Sequence, residues 1–273
     1  MIIEARFNGP PGSGNGGWSA GVFAAAAEIA AARSGAAATG AVRAGDAETG
    51  DARSGDAATG AGGTGEVRAG DVDGGAAGGA VEVTLRRPPP LAVPLAAVPS
   101  AAVPGRYEIH GPDATVIAQV DRVTEFTPVV PGVDLPAATA AAGRYPGFTD
   151  HPFPGCYVCG PDRPDGLRIF PGRLPDGRTA APFRVPDEVV PATVWAALDC
   201  PGGWAVIAPG RPYVLGRIAV TVAALPRPGE VCVVTGAASG GEGRKALVHS
   251  SLYGPDGTLL AHARATWIAL PPE

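Results

Sequence analysis

The stretch that most constrains this chain is residues 191–208, PATVWAALDCPGGWAVIA. It is a long apolar segment without the period-two alternation of a strand. Pro191 suits a first helical position, where its missing N–H would have no intrahelical partner anyway. A helix that is apolar nearly all round belongs inside a domain, wrapped by other elements. Four strand-like runs follow between Tyr213 and Leu270 and supply the wrapping. The expectation is a central helix inside a curled antiparallel sheet. Asp199 sits in that helix between Trp195 and Trp204, and a lone carboxylate in an apolar interior demands a partner or a role.

The first half repeats the order of elements. Residues 2–7, IIEARF, read as a short strand. The following FNGPPGSGNGG, 7–17, is a loop that glycine and proline keep irregular. WSAGVFAAAAEIAAA, 18–32, is an alanine-driven helix. From about 34 to 80 the composition shifts to Gly and Ala with an imperfect ten-residue repeat: AARSGAAATG, AVRAGDAETG, DARSGDAATG. Repeats without large apolar residues have nothing to stack, so a disordered insertion is expected rather than a solenoid. Most of the formal net charge of -5 lies in that insertion. The rest is nearly neutral, which argues against a general nucleic-acid binder.

Order resumes with VEVTLRR at 81–87, followed by a Pro-interrupted edge strand at 91–102 and strands at 106–110 and 114–123. A Pro- and Ala-rich connector carries a short helix near 135–144. In the second half, 167–170 and 179–184 read as a strand pair. The central helix comes next, then strands at 214–224, 230–238, 246–253 and 259–270. Gly240-Gly241 and 254–257 are the hairpin turns expected between the last three. The division is thus an N-terminal unit at 1–130, a connector at 131–150 and a C-terminal unit at 151–273.

The start, MIIEARFNGP, lacks a basic region followed by an apolar run, and no stretch of about 18 uninterrupted apolar residues reads as a membrane span. A cytoplasmic chain with reduced cysteines is the expectation.

A helix inserted early, then an antiparallel meander curling around it, twice over, resembles the double-hotdog, thioesterase-like proteins. The strings FNGPPGSGNGGW, VTLRRPPPL, HPFPGCYVCGPDRPDGLRIFPG and VWAALDCPGGWA resemble an actinobacterial-type branch of that superfamily. The resemblance implies an α+β fold of two tandem hotdog units, with the disordered insertion in the first. It implies an acyl-CoA or acyl-carrier-protein substrate, no metal and no cofactor. It leaves a homodimer open and implies neither a nucleic-acid partner nor a membrane span.

Relatives of this kind take oxyanion donors from backbone N–H groups where one central helix begins, and an acid from the helix of the facing unit. Asn15, Gly16 and Gly17 stand at the start of the first helix, where glycine permits close approach and unpaired N–H groups favour negative charge. Asp199 lies about two turns into the second helix. The reciprocal pair is missing: Val22, Phe23, Ala24 and Ala25 offer no acid, and Pro191 offers no N–H. One composite site per chain is expected, with Asp199 catalytic and Asn15, Gly16, Gly17, Asn8, Arg217 and His249 binding substrate or oxyanion. Arg86, Arg87 and Arg211 are candidates for coenzyme A phosphates.

Plainer alternatives stand beside each. Asp199 could bond a nearby backbone N–H or Arg217, or cap a break at Pro201; Asn8 and Asn15 could be turn formers; His249 could be structural. A non-catalytic binder of acyl thioesters or small apolar ligands is a second reading. A hydratase or dehydratase is a third, weakened because neither helix nor the glycine loop holds a histidine. Cys156-x-x-Cys159 is half a zinc site, which Cys200, Cys232 or His151 would have to complete. With no second close pair, a packed reduced turn is the expectation.

Overall fold

The computed structural model describes residues 1–45, 80–124 and 129–271. Two long helices, α1 (Gly16–Gly45) and α3 (Pro191–Trp204), are separated by β1 (Ala80–Leu85), β2 (Ala96–Pro99), β3 (Tyr107–His110), β4 (Val116–Val123), the short α2 (Leu135–Ala142), β5 (Gly172–Arg173) and β6 (Thr179–Arg184). After α3 come β7 (Tyr213–Val222), β8 (Val231–Glu242), β9 (Lys245–Tyr253) and β10 (Leu259–Ala269). The strands form one antiparallel sheet in the order β2-β3-β4-β1-β7-β10-β9-β8-β6-β5. This is an α+β fold of two hotdog units, each a curled antiparallel sheet on a central helix.

The units are joined edge to edge. β1 pairs with β4 on one side and with β7 on the other, Val81 opposite Val220 and Thr84 opposite Arg217. Pairing the two edges removes unsatisfied N–H and C=O rows at the seam.

Helices α1 and α3 lie against each other on the same side of the sheet. Their contact is made possible by two missing side chains one turn apart. A Cβ at Gly17 would fall 2.6 Å from the Asp199 Cβ and 2.6 Å from the Trp195 carbonyl oxygen; one at Gly21 would fall 2.6 Å from the Ala192 Cα. The spacing Gly17-x-x-x-Gly21 puts both on one helical face. At the other end of α3, Gly202 leaves room for Val248 and Ser250 of β9, and Gly203 for the Trp267 ring of β10. α3 continues through Pro201, whose carbonyl accepts a 2.6 Å bond from the Thr179 hydroxyl, so the alternative of a break there, capped by Asp199, does not hold.

Several boundaries differ from the sequence expectation. Residues 2–7 are not a strand: Ile2 makes a single bridge to Pro94, and the chain then closes a 3-10 turn at Ala5–Phe7. The facing segment is interrupted by prolines that cannot donate to a ladder. Residues 167–170 do not pair with β6, because Leu167 and Ile169 donate instead to Tyr157 and Val158. Gly240 and Gly241 lie within β8, and the turn to β9 falls after Glu242. α1 continues past residue 34 to Gly45. The remainder of the expected disordered insertion, 46–79, lies outside the described residues.

Candidate functional site

The site is built at the N-terminus of α1. Asn15 caps it: its Oδ1 accepts the Trp18 N–H at 2.8 Å, and its own N–H donates to the Phe7 carbonyl at 2.7 Å. This is the geometry that makes asparagine a preferred N-cap. The loop before it is fixed by Gly14 N–H donating to the Pro89 carbonyl at 2.8 Å. Phe7 stacks on Trp18 with ring centroids 3.7 Å apart, and the Tyr157 ring meets both edge-on.

Asp199 reaches this terminus across the helix seam. Its Oδ2 accepts the Gly17 N–H at 2.9 Å and the Asn15 Nδ2–H at 3.1 Å, whereas its buried Oδ1 has no partner. The side chain is 2% exposed. Burial pushes its pKa up to about 7, against the opposing pull of the Gly17 N–H and the Asn15 amide.

Asp199, Asn15 and Gly16 all line a cavity of about 480 Å³, whose wall also includes Leu215, Trp267 and Ile268. Arg86 and Arg87 stand in its lining as exposed residues, with Arg86 Nε donating to Gln119 at 3.0 Å. Arg211 is outside it, its guanidinium lying 5.4 Å from the Tyr213 ring centroid. Gly17 is covered by Asp199. Of the three loop residues named for the site, Asn15 and Gly16 therefore reach the cavity and Gly17 serves the acid. The Gly21 contact had no counterpart in the sequence reading; the i, i+4 glycine spacing is the signal that would have found it.

The ninth residue of α3 is Asp199, and the ninth of α1 is Ala24. At the start of α3 Pro191 has no N–H, and Thr193 turns its hydroxyl back to the Val190 N–H at 3.2 Å. The second, related position thus lacks the acid.

Three other named residues are placed elsewhere. Asn8 holds the glycine loop to the cysteine segment: its Nδ2 donates to the Gly155 carbonyl at 3.0 Å, and its Oδ1 accepts from Arg163. It is absent from the cavity wall. Arg217 lies on the sheet face turned away from the helices, 3.4 Å from Glu82, which Arg264 also meets. A register shift opposite Thr266 and Trp267 falls at Gly216, so Leu215 points to the helices while Arg217 does not. His249 shares that outer face opposite Arg264, since its neighbours Val248 and Ser250 are the ones that meet Gly202. Burial and the adjacent Arg264 lower its pKa. Neither Arg217 nor His249 lines the cavity that holds Asp199.

The sulfur atoms of Cys156, Cys159 and Cys200 lie within 4.8 Å of one another, all three buried and all three lining the cavity beside Asp199. Asn15 Nδ2 reaches the Cys156 sulfur at 3.8 Å, and His151 Nε2 lies 3.4 Å from that of Cys159. Thiol groups of Cys159 and Cys200, with the Cys159 and Val158 N–H groups, hold Cys156 well below the ordinary thiol range. Burial raises Cys159, and the bond to Cys156 raises Cys200.

No protein-family model and no curated protein matches the chain. Solved structures similar to it include a conserved protein of unknown function with hot dog fold from Alicyclobacillus acidocaldarius, 17% identical over 72% of this chain and 80% of that one, with a TM-score of 0.44. Another is a tesB protein of Mycobacterium avium subs paratuberculosis, 15% identical over 72% and 81%, TM-score 0.46. A hypothetical thioesterase protein with coenzyme A from Streptococcus pneumoniae is 13% identical over 37% and 84%, TM-score 0.34. Among the described residues, no helix is long and apolar enough to cross a membrane.

Proposed function

We propose that this chain hydrolyses acyl thioesters, carried on coenzyme A or a carrier protein, at one composite site between its two units. The observation that carries the reading is the placement of Asp199: anchored through Oδ2 to the α1 terminus, with Oδ1 unpartnered, in the wall of an apolar cavity. In this reading Oδ1 takes the proton of a water that attacks the thioester carbonyl carbon. The carbon–sulfur bond breaks with its electron pair on sulfur, the thiolate takes the proton held on Oδ1, and the free thiol and the carboxylic acid leave with Asp199 returned to its starting state. The Gly16 N–H and the α1 dipole stand where the carbonyl oxygen gathers negative charge. The apolar wall of Leu215, Trp267 and Ile268 takes the acyl chain.

The test is a panel of acyl-CoA and acyl-carrier substrates of graded chain length, with released thiol read by a chromogenic reagent. Turnover by the wild type and a loss of about 100-fold or more in Asp199→Asn is expected for a residue in general-base or nucleophilic use. Wild-type inactivity across the panel, or full activity in the variant, refutes the reading.

A further inference from the structure

The thioester reading leaves the three cysteines without a role. Buried thiols usually behave as small apolar groups, and scattered ones need no explanation. These three are not scattered. Two come from one turn, Cys156-Tyr-Val-Cys159, and the third from α3, and the fold brings their sulfur atoms to one point. The turn is tight: a Cβ at Gly160 would fall 2.3 Å from the Pro154 carbonyl oxygen, and the Gly160 N–H closes on the Cys156 carbonyl at 2.9 Å.

Donors surround the cluster. The Asn15 amide addresses the Cys156 sulfur at 3.8 Å. His151 Nε2 addresses that of Cys159 at 3.4 Å. Because His151 Nδ1 accepts the Phe153 N–H at 2.9 Å, the proton of the neutral ring sits on Nε2, which therefore donates to sulfur. Donors aimed at sulfur stabilise thiolates, and hydrogen bonds of this kind orient and tune metal-bound ligands. Cys232 lies outside the cluster.

We propose that Cys156, Cys159 and Cys200 form a three-thiolate site for a divalent transition metal of the zinc type, its fourth position facing the cavity beside Asp199. A zinc–sulfur bond of about 2.3 Å in tetrahedral geometry sets the sulfur atoms ~3.8 Å apart. Starting from separations of at most 4.8 Å, each sulfur moves by no more than roughly 0.6 Å to reach that spacing. The metal enters through the cavity, and binding releases the thiol protons to solvent. Serving as the fourth ligand would cost His151 its bond from Phe153, so a solvent or substrate atom from the cavity takes that position.

The experiment loads the reduced, metal-stripped full-length protein with Co²⁺ and reads the thiolate-to-cobalt charge-transfer absorption, with elemental analysis of the zinc-loaded protein alongside. The expected result is one metal per chain in the wild type and in Cys232→Ser, and loss of the absorption in Cys156→Ser, Cys159→Ser and Cys200→Ser. Uptake is retained in His151→Gln. Circular dichroism of each variant separates loss of ligand from loss of fold, and the wild-type titration stands without the variants. A reduced wild type that shows no charge-transfer band overturns the site, as does a band that survives Cys200→Ser. Loss of uptake in His151→Gln overturns the open fourth position. Because the readout is metal uptake, it is independent of whether any thioester is hydrolysed.

Discussion

Gly17 and Asp199, 182 positions apart in the chain, meet through a 2.9 Å hydrogen bond from backbone N–H to carboxylate. The bond crosses the seam between the two units. It ties the acid of one helix to the positive end of the other.

Gly17→Ala tests that seam. In an exposed helix alanine would gain about 1 kcal/mol over glycine. Here its Cβ would sit 2.6 Å from two atoms of α3, one of them backbone, so α1 and α3 must move apart. A net destabilisation of roughly 1–3 kcal/mol is expected from overpacking, measured by urea unfolding, with loss of turnover. Gly35→Ala, where an added Cβ meets nothing within 4 Å, serves as the control and should not lower stability.

Asn15 has two functions that substitution can separate. Asn15→Ala removes both the cap and the amide donor to Asp199, costing about 1 kcal/mol for the cap. Asn15→Ser keeps a capping oxygen but cannot reach as a donor. It should unfold close to wild type in urea while turnover falls.

Asp199→Asn should not lose stability, even as turnover collapses. The asparagine oxygen still accepts the Gly17 N–H, and the variant no longer buries a carboxylate with one oxygen unpartnered. A thermal midpoint at or above wild type is expected. A clear fall would show that the charge holds the helices together.

Arg217→Ala and His249→Ala should leave turnover within about twofold of wild type, since both residues occupy the outer sheet face. For Arg217, half exposed in its pair with Glu82, the stability change should be roughly 0–1 kcal/mol by denaturant titration.

Arg86 and Arg87, exposed at the cavity wall, test recognition of a nucleotide-bearing carrier. With both replaced by alanine, KM for acyl-CoA should rise and kcat should hold, with the effect shrinking at high salt. A short thioester without the nucleotide should be processed unchanged. Equal losses on both substrates would remove the arginines from nucleotide recognition.

The central helix was legible because 191–208 is apolar nearly all round and begins with proline; α3 starts at Pro191 as expected and ends at Trp204, four residues short of the end of that stretch. Most strands of the second half followed from alternation between glycine-rich turns. Alternation could not say which face is which, and the irregularity at Gly216 reverses the sides partway along β7, which misplaced Arg217. The acid and the glycine loop were legible as residue types at helix positions. Their direct bond was not, because it depends on how closely two glycines let the helices approach. The convergence of Cys200 on Cys156 and Cys159 was hidden for a similar reason: α3 and the turn are brought together only by tertiary packing.

Ala24 occupies the helical position in α1 that Asp199 holds in α3. In a symmetric dimer of identical subunits, any substitution appears twice, and losing the acid would silence both clefts. Covalent fusion lifts that constraint: each half can specialise, one presenting the amide terminus and the other the carboxylate, without either being obliged to keep what its sister supplies.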